Sequence, residues 1–356
     1  MEIDENTIKE NVKRIRNEIG HEEMDINIKK LNFNEDLNEL TIITKDRPDK
    51  SSIIGKGGWV VGRLKEDLSL NSIHVESYTD FMQKEYRLRL SLQKIEDSLN
   101  SLDENNPLYN PLSNLKKTLT YKIKNIYTFN FEKYLEENFK KNLLSTNSDN
   151  KHLAVVALSG GVDSSFSLLI AKYLGFNPIA VSIDPGTIIL PSQFKNNIKK
   201  LTEKLQVKHE YIKIDNKDIV NEGLSGKIHP CGRCSAQIEE ELFKFALENN
   251  ISMVIFGDML STGSQCITDK LYNNQKIKRL NLPASLSCGK LEGKNLIKDY
   301  GIKSIKGFGC PLLYEVHKKY PHMKKYSIQR ILRETRSGAL EVGEALELIW
   351  SFYKIE

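Results

Sequence analysis

Residues 152–175, HLAVVALSGGVDSSFSLLIAKYLG, decide the fold. His152–Leu158 reads as an apolar strand and Ser164–Leu174 as a helix closed by Gly175. Between them Ser159-Gly160-Gly161-Val162-Asp163-Ser164-Ser165 passes directly from strand into helix. Glycines let a backbone approach an anion closely, and the first amides of a helix point outward without intrahelical partners. Ser159, Ser164 and Ser165 add hydroxyl donors. Asp163 would repel a bare phosphate, so its presence implies a bridging Mg²⁺. No Lys follows the glycines, which excludes a Walker-type loop.

Outward from this loop, strand and helix patterns alternate. Strands are expected at Pro178–Ile183, Lys208–Ile214 and Met253–Phe256, with helices at Gln193–Leu205 and Ala236–Asn249. Near-continuous apolar strands separated by helices imply a parallel, doubly wound sheet of the α/β class. Toward the amino terminus, residues 5–20 have helical spacing, and Asp25–Leu31, Leu40–Thr44 and Ser72–Ser77 look like short strands. Residues 81–150 are polar and mostly helical in pattern, ending in the turn-forming stretch Leu144–Lys151. Ser327–Phe352 reads as an amphipathic helix with Gly338 and Gly343 as interruptions.

The heptapeptide at 159–165, in its strand–loop–helix context, resembles the pyrophosphate loop of the PP-loop ATPase superfamily. That resemblance implies a Rossmann-like, adenine nucleotide α-hydrolase-like domain over 151–320, which binds ATP and cleaves it between the α and β phosphates to form an adenylate. It also implies nucleotide contacts from Ser182, Ile183 and Asp184 at the end of the second strand, and from Gly257 and Asp258.

All five cysteines, Cys231, Cys234, Cys266, Cys288 and Cys310, fall in the second half of the chain. His229-Pro230-Cys231-Gly232-Arg233-Cys234 precedes the helix expected near Ala236, and two thiols at this spacing reach one metal or cluster from the same side. A helix start and Arg233 would favour thiolate character. Zinc, an iron–sulfur cluster and a redox dithiol all suit such a pair. Cys310 stands in a Gly/Pro-held turn. Within the PP-loop superfamily the arrangement resembles the iron–sulfur-dependent tRNA thiolases, which implies a [4Fe-4S] cluster on Cys231, Cys234 and Cys310. Cys266 or Cys288 as third ligand, or as persulfide carrier, stays open; burial in the core is the plainer expectation for both.

RPDKSSIIGKGGWVVGRLKEDL (47–68) resembles the centre of a KH domain, with Gly55-Lys56-Gly57-Gly58 as its GxxG loop between two short helices. Strands before and after suggest the type II order, and RNA as the ligand. Lys45, Arg47, Lys50, Lys56 and Arg63 surround the loop.

The expected organisation is therefore a KH-like domain at 1–80, a helical linker at 81–150, the PP-loop domain at 151–320 and a helical segment at 321–356. The charge balance, 52 Lys and Arg against 47 Asp and Glu, permits a nucleic-acid partner without demanding one. No apolar run approaches the roughly 20 residues of a membrane span, and the amino terminus lacks a secretion-signal pattern, so a cytoplasmic protein is expected. Together these features point to an ATP-dependent tRNA sulfurtransferase. Its partners would be tRNA or another structured RNA and a sulfur donor, sulfide or a persulfide protein; a homodimer is left open. The competing classes are a PP-loop amide or amine ligase, or small-molecule sulfur transferase, with structural zinc, and a non-catalytic RNA-binding protein that senses ATP.

Overall fold

Two runs of buried apolar residues, each closing on itself, divide the chain into the units Met1–Glu85 and Tyr86–Glu356. The computed structural model describes residues 3–144, 152–260, 265–303 and 310–354.

In the first unit, α1 (Glu5–Glu18) begins where the Asp4 carboxylate accepts from the Thr7 amide at 2.7 Å. β1 (Ile28–Asn34) pairs antiparallel with β2 (Glu39–Thr44). α2 (Arg47–Ile54), capped by Asp46, is followed by a tight turn over Lys56–Gly58 and by α3 (Trp59–Asp67). β3 (Ser72–Ser77) then pairs parallel with β2, giving the order β1-β2-β3. Ile8, Val12, Ile15, Leu40, Ile42, Ile53, Val60 and Leu64 are buried together. The first strand lies three residues later than its alternation suggested, since ladder pairing with β2 begins only at Ile28.

The chain continues through α4 (Tyr78–Asn100), α5 (Tyr109–Lys124) and α6 (Phe131–Leu144). The stretch expected as a linker is in fact core. Leu88, Ile95, Leu112, Leu115, Leu119, Phe131 and Leu135 share one buried cluster with Phe166 and Leu169. Residues 145–151, where the domain boundary was expected, lie outside the described residues.

β4 (Ala154–Ala157) leads into α7 (Val162–Tyr173), then β5 (Pro178–Asp184), α8 (Ser192–Leu205), β6 (His209–Lys213), α9 (Lys217–Leu224), α10 (Cys231–Glu248) and β7 (Met253–Phe256). β8 (Ile267–Tyr272) and β9 (Gln275–Asn281) form an antiparallel hairpin. The sheet order is β6-β5-β4-β7-β9-β8, parallel except for β8 at the edge. This is the expected Rossmann-like sheet with two unforeseen strands, β9 and, at the edge, β8. The order reverses between β4 and β7, so a crevice opens at the carboxyl ends of those two strands, where open α/β sheets place their ligands. α11 (Leu282–Ser285), α12 (Lys290–Lys298), α13 (Pro311–Lys319), α14 (Lys324–Arg336) and α15 (Val342–Tyr353) complete the unit. Gly338, at φ +74°, separates the last two as expected, whereas Gly343 lies inside α15 and does not interrupt it. No described helix is long and apolar enough to cross a membrane.

Candidate active site

The loop after β4 is built by close approaches that only glycine permits. At Gly160, φ is +77° and a Cβ would stand 2.4 Å from the Phe194 carbonyl oxygen of α8. Buried Asn197 on α8 donates its Nδ2 to the Gly160 carbonyl at 3.0 Å and holds the turn from behind. Gly161 precedes α7 in extended conformation with no side-chain cap, so the first amides of α7 remain for a ligand. The Ser159 amide donates to Ser164 Oγ at 3.2 Å, and Ser164 Oγ donates to the Gly161 carbonyl at 3.1 Å. Gly160, Gly161 and Val162 thus form the turn, with Ser159, Asp163 and Ser164 on the cavity wall. Ser165 differs from expectation. It is fully buried, its hydroxyl has no partner among the described residues, and it is absent from the cavity lining.

The cavity, about 350 Å³, has an apolar side of Ala157, Val181, Ile183, Ile238 and Leu242 and a polar end at Ser159, Asp163, Ser164 and Asp258. Of the three residues expected at the end of β5, only Ile183 faces it. Ser182 is buried; its Oγ donates to the Leu158 carbonyl at 2.5 Å and lies 2.9 Å from His209 Nε2, so it braces the loop instead. Asp184 faces an adjacent groove, 2.6 Å from Lys195 Nζ; burial pushes its carboxyl up, but Lys195 and the Gly186 amide outweigh that and leave it below its ordinary range.

Gly257 ends β7 against α7, where a Cβ would meet the Ser164 amide nitrogen at 2.9 Å. Asp258 accepts from Arg279 Nη2 at 2.5 Å, and the Arg279 guanidinium lies over the Phe256 ring at 4.5 Å. Burial raises the Asp163 pKa; the Lys290 charge offsets part of this, while Glu334 and Asp258 add to it. Glu334 is buried and joins two cations: Lys290 Nζ is 3.0 Å from one carboxylate oxygen and Arg330 Nε 3.0 Å from the other. Burial pushes Glu334 up, but Lys290 and Arg330 outweigh it and hold the group below the usual glutamate value. None of Lys290, Arg330 and Glu334 was among the site residues expected from the sequence. The four-residue spacing of Arg330 and Glu334 on α14 was the available signal.

The CxxC occupies the first turn of α10 rather than preceding the helix, since α10 starts at Cys231. Cys310 caps α13 and lines the same cavity as the loop. The three thiols are near enough to influence one another. Burial, then Cys310, pushes Cys231 up to about 11, and burial with Cys310 also raises Cys234. The expected thiolate character is absent in the free thiols, because burial outweighs the helix end and Arg233 turns away to Glu222 at 2.5 Å. Cys266 and Cys288 are both buried in the apolar core, apart from this group. Among the described residues no set of three or more His, Cys, Asp or Glu stands at single-ion spacing.

In the first unit the Gly55–Gly58 loop has three glycines at positive φ, and at Gly55 a Cβ would meet Val60 Cγ2 at 2.3 Å. Lys56 is exposed at its tip. The surrounding charge is less free than the sequence suggested: Arg47 pairs with Asp80, Lys50 with Glu76, and Arg63 with Glu66 and Asp67.

No family model matches the chain. Among solved structures, similarity extends to the U34-tRNA thiolase NcsA of Methanococcus maripaludis with its [4Fe-4S] cluster, at 16% identity and TM-score 0.37 over 63% of this chain and 79% of that one. It extends also to an NMN synthetase from Francisella tularensis, at 17% identity and TM-score 0.37 over 63% and 93%. A third is the FMN adenylyltransferase of Candida glabrata in complex with ATP, at 13% identity and TM-score 0.27 over 56% and 59%. These similarities are too distant to transfer an activity. In sequence, the uncharacterized protein MJ1599 of Methanocaldococcus jannaschii is 26% identical over 203 residues, 52% of this chain and 69% of that protein. The uncharacterized protein MJ1638 of the same organism is 34% identical over 275 residues, 77% of this chain and 95% of its own. With its PP-loop-type strand, glycine turn and helix at the switch point of a Rossmann-like sheet, the chain belongs to the family of MJ1638.

Proposed function

We propose that this protein is an ATP-dependent adenylating enzyme that replaces an oxygen of a tRNA base with sulfur. The observation that carries the ATP half is the uncapped start of α7, opening on a cavity with an apolar side and a polar end at the sheet's switch point. The apolar side suits an adenine ring and the loop amides suit the phosphates. Asp163 and Asp258, which line the same cavity, suit a Mg²⁺ ion; bound there it would neutralise phosphate charge.

Attack of the acceptor oxygen on the α-phosphorus forms the adenylate and expels pyrophosphate. The α7 amides stabilise the charge that gathers on the departing group, and Lys290 and Arg330, held by Glu334, supply cations on the Asp163 side. A sulfur nucleophile then adds at the activated carbon, and AMP leaves with the original oxygen.

Cys231, Cys234 and Cys310 support the sulfur half. An iron–sulfur cubane spreads its thiolates over separate irons, so the Cys231–Cys234 pair on α10 with Cys310, which lines the cavity, suits a [4Fe-4S] cluster. Such a cluster would supply an open iron able to hold sulfide. The first unit supports the RNA half, with the helix and strand order of a type II KH domain around a GxxG turn tipped by Lys56.

The test is anaerobic incubation of the full chain with ATP, Mg²⁺, sulfide and tRNA, followed by pyrophosphate assay and nucleoside mass spectrometry. Pyrophosphate release that depends on tRNA, with a new thionucleoside, is expected. Release with no tRNA requirement and no thionucleoside would favour a small-molecule ligase, and absence of release in every condition would exclude both enzymes.

A further inference from the structure

A second cavity, about 570 Å³, adjoins the first and shares Asp163, Gly257, Asp258 and Arg330 with it. Its far wall is unlike the nucleotide side. Thr268 and Lys270 stand two apart on β8, hence on one face of the strand, and Thr268 pairs in register with Arg279 of β9. Arg333 enters from α14, one turn beyond Arg330.

The cations here differ in what already holds them. Arg330 is engaged by Glu334, and Arg279 by Asp258 and Glu239. Lys270 and Arg333 line the cavity without an acidic partner among the described residues. Two unengaged cations, one from β8 and one from α14, lining one concave site favour an anion between them. The volume suits one nucleotide-sized unit rather than a length of duplex.

We propose that this second cavity is the acceptor site, and that Lys270 and Arg333 grip the phosphate of the nucleotide whose base oxygen is presented to the α-phosphorus of ATP. The assignment rests on the adenylation chemistry proposed above and adds the substrate class, a 5′-phosphorylated nucleotide, with the residues that recognise it. The hairpin β8–β9 thereby gains a purpose: it sets Lys270 and Arg279 on the wall facing α14. A phosphate in a polymer and one on a free nucleotide offer the same chemistry, so the test separates them.

The full chain is first saturated with α,β-methylene-ATP, so that the nucleotide cavity is filled. Binding of UMP, of uridine and of unfractionated tRNA is then measured for the wild type, for Lys270→Ala/Arg333→Ala and for the charge-matched surface control Lys199→Ala/Lys200→Ala. UMP is expected to bind the wild type at least tenfold tighter than uridine, or tRNA to bind it saturably. The cavity variant should weaken the phosphate-bearing ligand at least tenfold, leave α,β-methylene-ATP affinity within twofold, and leave the control unaffected. Loss confined to tRNA identifies a polymer phosphate as the ligand; loss confined to UMP identifies a free nucleotide. Equal weakening in the cavity and control variants, or no weakening in the cavity variant, would overturn the assignment. Failure of the wild type to bind α,β-methylene-ATP at all would instead count against the adenylation chemistry.

Discussion

Asp163 is a carboxylate placed where folding alone would not put one. Burial disfavours its charged form, and Lys290 and Arg330, opposed by Glu334 and Asp258, offset only part of that cost. Groups kept at such a cost to stability serve chemistry. Asp163→Asn is therefore expected to raise the stability of the ligand-free protein at pH 7, on the order of 1 kcal/mol, while abolishing pyrophosphate release; paired melting and turnover measurements check both. Glu334 behaves in the opposite sense. Its folded pKa lies below its unfolded value near 4.5, so its contribution is present above that pH and is lost as pH falls through the folded value. Glu334→Gln should cost about 1–3 kcal/mol at pH 7, since one of its cations is half exposed, and should flatten the acid limb of stability below about pH 4.5. Denaturant titrations of both proteins across pH 3–7 test this. A slope unchanged by the substitution would mean that the pair with Lys290 and Arg330 is not what holds the carboxylate.

At the scale of elements, the parts with strong local signals were legible. The strand, glycine turn and helix at 154–173 could be read because apolar periodicity and backbone-permissive residues coincide there. The β7 strand falls at Met253–Phe256, as its apolar run suggested. What escaped lacks such signals. The turn of the β8–β9 hairpin is Asn273-Asn274, both at positive φ, without the Gly that usually advertises it, and its strands are rich in Lys. Asn274→Gly is accordingly expected to stabilise the second unit by about 0.5–1 kcal/mol, measured by chemical denaturation; destabilisation would mean the turn is not of the primed type. Helices α4–α6 looked like a linker because their faces are polar outward. Their apolar stripes become core only against a sheet that lies far along the chain. The site shows the same limit. The glycine loop was local and visible, whereas the trio Lys290, Arg330 and Glu334 is assembled from α12 and α14, and only one of its two pairs lies within a single helix.

For the whole molecule, the residues that line the nucleotide cavity all belong to the second unit. A fragment spanning 86–356 is expected to fold and bind α,β-methylene-ATP, whereas one spanning 152–356 should aggregate. The shorter fragment strips Phe131 from the Phe166 ring and Lys122 from Glu292, and exposes the cluster that α4–α6 bury. Light scattering and circular dichroism of the two fragments decide it; a soluble, cooperatively folded 152–356 would restore the linker interpretation. The central claim is that the Ser159–Ser165 turn holds a triphosphate. Calorimetric titration of α,β-methylene-ATP into the full chain tests it most directly. The expected result is one saturable site per chain, displaced by pyrophosphate and weakened about tenfold or more by Ser164→Ala, which unties the turn. No saturable heat, or binding indifferent to both pyrophosphate and the substitution, would contradict it.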